Sequence, residues 1–175
     1  MKSWLLPLLL LLTACSNQQV QEDVTLPKNV RWALLPMVNL SETPRAGERA
    51  QRLVETALRT RGLSPLLAPA PQRQEKLPLF DDRVRLDQAL AWARRKRIRY
   101  GVSGSVEEWR YKSGLDGEPA VGLSLRVIEI PSGRVVWAAS GARTGWGYAN
   151  LSGTAAKVID DLLNALHLVS TPPSQ

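Results

Sequence analysis

Apolar and polar positions change period along the chain, and each change predicts an element. Arg31–Met37, RWALLPM, is a continuous apolar run that suits a buried strand. NLSETP follows as a turn, with Thr43 placed to cap a helix and Pro44 at its first position. Ala50, Leu53, Val54, Ala57 and Leu58 recur at helical spacing, with Arg49, Arg52, Glu55 and Arg59 on the opposite face. Gly62 fits the end of that helix. LSPLLAP predicts a short second strand weakened by its prolines, and Ala68–Leu79 predicts a loop. Asp81 or Asp82 is placed to cap a second helix with Leu86, Ala89, Leu90 and Ala93 on its apolar face.

The period then drops to two. Tyr100–Trp109 alternates Val102, Gly104 and Val106 against Ser103, Ser105 and Glu107. Val121–Ile130 does the same, and after the tight turn Pro131–Arg134 a third strand runs from Val135 to Ala142. Such alternation predicts a sheet with one face better buried than the other. A last helix carries the stripe Leu151, Ala155, Val158, Ile159, Leu162, Leu163 and Leu166. The order β-α-β-α-β-β-β-α gives an α/β (α+β) sandwich, a mixed sheet with helices, in a single domain over residues 30–168. Residues 169–175, ending in STPPSQ, are expected to be disordered.

Ahead of this domain the pattern is of another kind. MKSWLLPLLLLLTAC has one cation, Lys2, then an apolar run from Trp4 to Leu12. The run is too short for a ~30 Å hydrocarbon core and fits the h-region of a secretory signal. Leu12-Thr13-Ala14-Cys15 resembles a bacterial lipobox, which makes residues 1–14 a signal peptide and Cys15 the acceptor of a covalent lipid. The alternative is an ordinary signal peptide that contains a cysteine. Cys15 is the sole cysteine, so no intrachain disulfide forms. Likeness to bacterial lipoproteins implies three acyl chains, and Ser16 fits delivery to the outer membrane. Residues 15–29 are expected to be the lipidated N-terminus and a polar tether.

Composition adds two constraints. With 44% hydrophobic and 22% charged residues among 175, the chain is globular and long enough for one core. Its formal charge is +7, and Lys2 is the only charged residue ahead of Cys15. That excess suits an anionic surface or a merely solvated one; export excludes nucleic acid.

Candidate chemistry is sparse. His167, at the end of the last helix, is the one histidine. GVSGS (Gly101–Ser105) lacks the last glycine of a nucleophile elbow and reads as a strand. GWGYAN nearly matches a dinucleotide fingerprint but has Asn150 where a third glycine belongs. The sequence offers no clustered His or Cys ligands for a metal. The expectation is a non-catalytic protein with no cofactor besides the lipid on Cys15. The basic run Arg94–Arg99 either contacts anionic lipid or complements a helix dipole. In SGLDGEP, Asp116 and Glu118 are either turn residues or an acidic lip for a cationic ligand. In GARTGWGYANLSG, Trp146 stands between two glycines with Tyr148 close behind. It suits a membrane interface, a neighbouring subunit or a fold back onto the core. Trp32, Trp92, Trp109 and Trp137 are expected to be structural.

The lipobox, RWALLPMVNLSETPRAGERA, SVEEWRYKSGLDGEPAVG and SGARTGWG together resemble the PelC family, outer-membrane lipoproteins of Pel exopolysaccharide export. ALLPMVNLS is also similar to TolB-N-terminal-like α/β domains. The PelC resemblance implies a homo-oligomeric ring, a dodecamer in the family, lipid-anchored at the periplasmic face of the outer membrane. It implies a collar beside the PelB porin that helps export a cationic exopolysaccharide for biofilm formation. On that reading Asp116 and Glu118 form the acidic lip, and Trp146 and Tyr148 meet the membrane interface. The other reading is a monomeric periplasmic TolB-like binding or scaffolding lipoprotein.

Overall fold

The structure, a computed structural model, describes residues 17–20, 24–70, 78–113, 117–146 and 148–170. The signal segment, Cys15, Asp116 and residues 171–175 lie outside the described residues. The elements are β1 (Asn17–Val20), β2 (Thr25–Pro27), β3 (Trp32–Asn39), α1 (Ala46–Thr60), β4 (Leu66–Leu67), α2 (Pro78–Arg95), β5 (Tyr100–Tyr111), β6 (Pro119–Glu129), β7 (Arg134–Thr144), α3 (Leu151–Asn164) and β8 (His167–Val169). From β3 to α3 the order is the one the hydrophobic pattern predicts.

Six strands form one sheet in the order β1-β7-β6-β5-β3-β4, and β2 pairs with β8 apart from it. The β5–β6–β7 meander is antiparallel, while β3 runs parallel to both β4 and β5. Helices α1 and α3 cover one face, burying Val54, Leu58, Val158, Ile159 and Leu162 against Val102, Leu123, Leu125 and Trp137. Helix α2 covers the other face, with Leu86, Ala89 and Ala93 against Ala33, Leu35, Ile128 and Ile130.

The buried strand expected from the apolar run Arg31–Met37 is β3. This strand is buried on both faces, which is why it reads as an unbroken apolar run. Beyond the reach of α2, the second face carries the small residues Ser124, Ala138 and Ser140.

Several local expectations are corrected. The segment read as a polar tether supplies β1 and β2. β1 joins by backbone pairing to the edge of β7, which needs no apolar pattern. Thr43 does not cap α1: its hydroxyl donates to the carbonyl of Trp109, and Arg45 holds the cap position with φ 61° and no side-chain capping bond. Helix α2 starts at Pro78, inside the expected loop, since proline is tolerated in a first turn. Asp82 is thus an interior residue, only 6% exposed. It accepts from the Asn39 backbone N–H at 2.9 Å and from Arg85 at 3.1 Å, pinning α2 to the end of β3. His167 is not at the end of a helix but in β8, exposed, and Val169 is likewise strand rather than tail. Gly62 does close α1, at φ +85°, with its N–H on the Arg59 carbonyl.

Candidate functional site

Three chain segments meet at one end of the sheet. β5 leaves there at Tyr111 and β6 returns at Pro119, with the Lys112 N–H on the Glu118 carbonyl at 2.7 Å closing the hairpin base. β7 leaves at Thr144, paired with Ala120. The Gly145 N–H then donates to the Pro119 carbonyl at 2.7 Å. That bond ties the Trp146 loop to the hairpin. A Cβ on Gly145 would lie 2.6 Å from Pro119 Cγ and 2.8 Å from Ala149 Cβ, so only glycine allows this crossing. Asn150 explains the broken dinucleotide pattern: it is the N-cap of α3, its side chain accepting from Gly153 N–H at 2.8 Å.

Trp146 is 85% exposed and Tyr148 is fully exposed, so Trp146 is not folded back onto the core. Trp32, Trp109 and Trp137 are buried in the main core, as expected, and Trp92, in α2, packs half-buried against the core between that helix and the sheet. A third aromatic, Tyr111, is also exposed at this end. The sequence pattern hides it because a bulge between Val106 and Glu108 shifts the strand's parity. Trp109 then turns inward, and Tyr111 follows it past the last residues that the helices cover.

Glu118 is half-buried and belongs to this same end. Its expected companion, Asp116, lies outside the described residues. Glu107 accepts from the Ser105 hydroxyl, and Glu108 pairs with Arg110 at 2.9 Å. Glu118 and the aromatic candidates are therefore neighbours, at the same end of the sheet. The basic run Arg94–Arg99 lies at the far end, where β5 begins.

Among the described residues, GVSGS and GWGYAN hold structural places. Ser103 is 1% exposed in mid-strand, and its hydroxyl donates to the Pro36 carbonyl at 2.8 Å. A cavity of about 900 Å³ between α1 and α2 is lined by Glu48 and Glu55, but Glu48 already pairs with Arg45 at the cap of α1 and Glu55 with Arg59. Among the described residues no three His, Cys, Asp or Glu side chains are placed to hold a metal ion, and no helix is long and apolar enough to cross a membrane.

No family model matches the chain, and no curated protein does. Solved structures do. The chain is 34% identical to the PelC dodecamer of Paraburkholderia phytofirmans, with a TM-score of 0.73 over 89% of this chain and 100% of that one. A substituted form of that dodecamer, in another crystal form, matches with the same identity and TM-score over 90% of this chain. Lipoprotein GNA1162 of Neisseria meningitidis is 15% identical, with a TM-score of 0.49 over 76% of this chain and 94% of that one.

Proposed function

Since the chain belongs to the PelC family, we propose that it is a non-catalytic outer-membrane lipoprotein that assembles into a ring-shaped collar. The collar assists export of a cationic exopolysaccharide, with a PelB-type porin as partner, in biofilm formation. The observation that carries this reading is 34% identity along the whole length of a PelC that is a dodecamer.

The register of β1 supports an orientation for each subunit. Asn17 pairs with Ala142, so the chain enters the sheet at the end that carries Trp146. Cys15 is two residues earlier, a link of at most ~7 Å. A lipid on Cys15 and the exposed indole would thus meet the bilayer from the same end. Trp146 and Tyr148 suit the interface, where an aromatic body contacts acyl chain and its polar group stays wet. In a ring, the hairpin with Asp116 and Glu118 would turn from that same corner toward the lumen. Repeated acidic groups there would attract a polycation more than a single copy does.

The test is secretion. Asp116→Asn with Glu118→Gln, expressed in a strain lacking the native gene, should lower secreted cationic polysaccharide several-fold while protein level and membrane fraction stay unchanged. The deletion strain should secrete almost none. Parental secretion from the deletion strain would overturn the export reading. Parental secretion from the double variant alone would remove the acidic lip from it.

A further inference from the structure

Three segments distant in sequence bring their cations to the end of the sheet opposite Trp146. Arg31 precedes β3, Arg94 and Arg95 close α2 with Lys96 and Arg97 in the turn after it, Arg99 precedes β5, and Arg134 opens β7. All of these residues are exposed. Arg31 donates to the Lys96 carbonyl at 3.1 Å, and Arg97 turns the chain at φ 53°, so the α2–β5 connection is held against the start of β3. Within residues 28–31, 94–100 and 129–135 the single acid is Glu129. It accepts from Ser132 and pairs with Arg99 at 2.7 Å and Arg134 at 3.6 Å. The Ser132 bond, aided by both arginines and opposed by partial desolvation, holds its carboxyl below the usual range. Among the described residues, only Arg99 and Arg134 of these cations pair with a carboxylate, and both share Glu129, so most of the positive charge has no acidic partner.

Dipole complement accounts for a cation or two in the last turn of α2. It does not account for Arg31, Arg99 and Arg134, which stand at the starts of strands. Nor is the membrane that anchors Cys15 in reach. β7 has 11 residues, and at ~3.3 Å per residue its two ends lie about 33 Å apart. That is several times the ~8 Å Debye length at physiological ionic strength, so headgroups at the Trp146 end are screened. The exposed aromatics Tyr111, Trp146 and Tyr148 lie at the other end, while at this end Trp92 is half-buried and Tyr100 is buried beneath Arg99, so among the described residues neither ring stands free for a sugar to stack on. Guanidinium groups suit carboxylates, which they bind with two parallel hydrogen bonds.

We propose that this basic end is a docking surface for an acidic segment of a periplasmic protein. It faces away from the anchoring membrane and recognises side-chain carboxylates. The proposal rests on the orientation given above for where the partner lies, but the binding itself does not require a ring.

The experiment uses the full lipoprotein in detergent and fluorescein-labelled poly-L-glutamate as probe. Wild-type protein should bind it with an affinity that falls as salt rises. Arg94→Glu with Arg97→Glu should weaken binding by roughly tenfold or more, as loss of charge complementarity at a defined patch does. Arg49→Glu with Arg52→Glu on α1 changes net charge equally and should leave affinity within about twofold, because its charges lie outside the patch. If the reversed variant misfolds, Arg94→Gln with Arg97→Gln takes its place and should show a smaller loss of the same sign. Equal losses from the α1 control, or none from either patch variant, would overturn the proposal. So would patch-dependent binding that favours purified peptidoglycan or anionic vesicles over poly-L-glutamate. Native mass recorded on the same samples separates this failure from failure of the ring: a monomer that binds the probe keeps the docking surface and loses the collar.

Discussion

Cys15→Ala is expected to abolish incorporation of radiolabelled palmitate and to empty the outer-membrane fraction of the protein. The reasoning is energetic. A single acyl chain holds a protein at a membrane only marginally, and each buried methylene adds ~0.8 kcal/mol, so an anchor of several chains dominates all other contacts. The exposed aromatics at the tip are too few to replace it. On the proposed reading, Trp146 and Tyr148 would set how the subunit sits once it is anchored, without anchoring it. Wild-type protein should carry the label and begin at Cys15 by mass spectrometry. The variant should carry no label and should not begin at residue 15. A variant that stays in the outer membrane would show that another segment holds it there.

Trp109→Ala should destabilise the fold by about 3–5 kcal/mol, the range for emptying a buried aromatic site. Trp109 is 1% exposed, and its carbonyl receives the Thr43 hydroxyl that ties the segment before α1 to β5. Trp109→Phe should cost far less, since much of the packing remains and the indole N–H has no acceptor among the described residues. Trp146→Ala is the contrasting case. At 85% exposure it should melt within a degree or two of wild type, as exposed positions away from caps and turns usually do. Thermal melts of the three variants decide this. A large loss for Trp146→Ala would make that residue part of a packed interface.

Those two tryptophans show how far the sequence could be read. Both sit among small or charged neighbours, and periodicity alone does not separate them. In β5 the inward phase of Val102, Gly104 and Val106 would make Glu108 inward, and the bulge after Val106 hands that place to Trp109 instead. A bulge leaves little trace in a single sequence. The long elements were legible because they carry long stripes: α3 with Leu151 to Leu163, and β6 with Val121 to Val127. β1, β2 and β8 were not, being three or four residues each and held by backbone pairing. Asp82 looked like a cap because an acid before an apolar stripe usually is one. Its burial follows from the earlier helix start at Pro78, which the neighbouring prolines disguised.

The site was legible in its parts but not in its arrangement. Trp146 stood out because the glycines beside it offer nothing to bury an indole. What the sequence could not convey is that the Gly145–Pro119 bond makes the aromatic loop and the acidic hairpin one structure. Nor could it convey that β1 enters beside them, or that Arg31, Arg97 and Arg134 converge at the other end. Each of these depends on strand register, which brings together residues tens to a hundred positions apart.

The most direct test of the collar is the native mass of the detergent-extracted lipoprotein. One discrete ring of many subunits, the size of the related PelC dodecamer, is the predicted result. A monomer across the working concentration range would contradict the collar and leave a single-subunit envelope scaffold in its place.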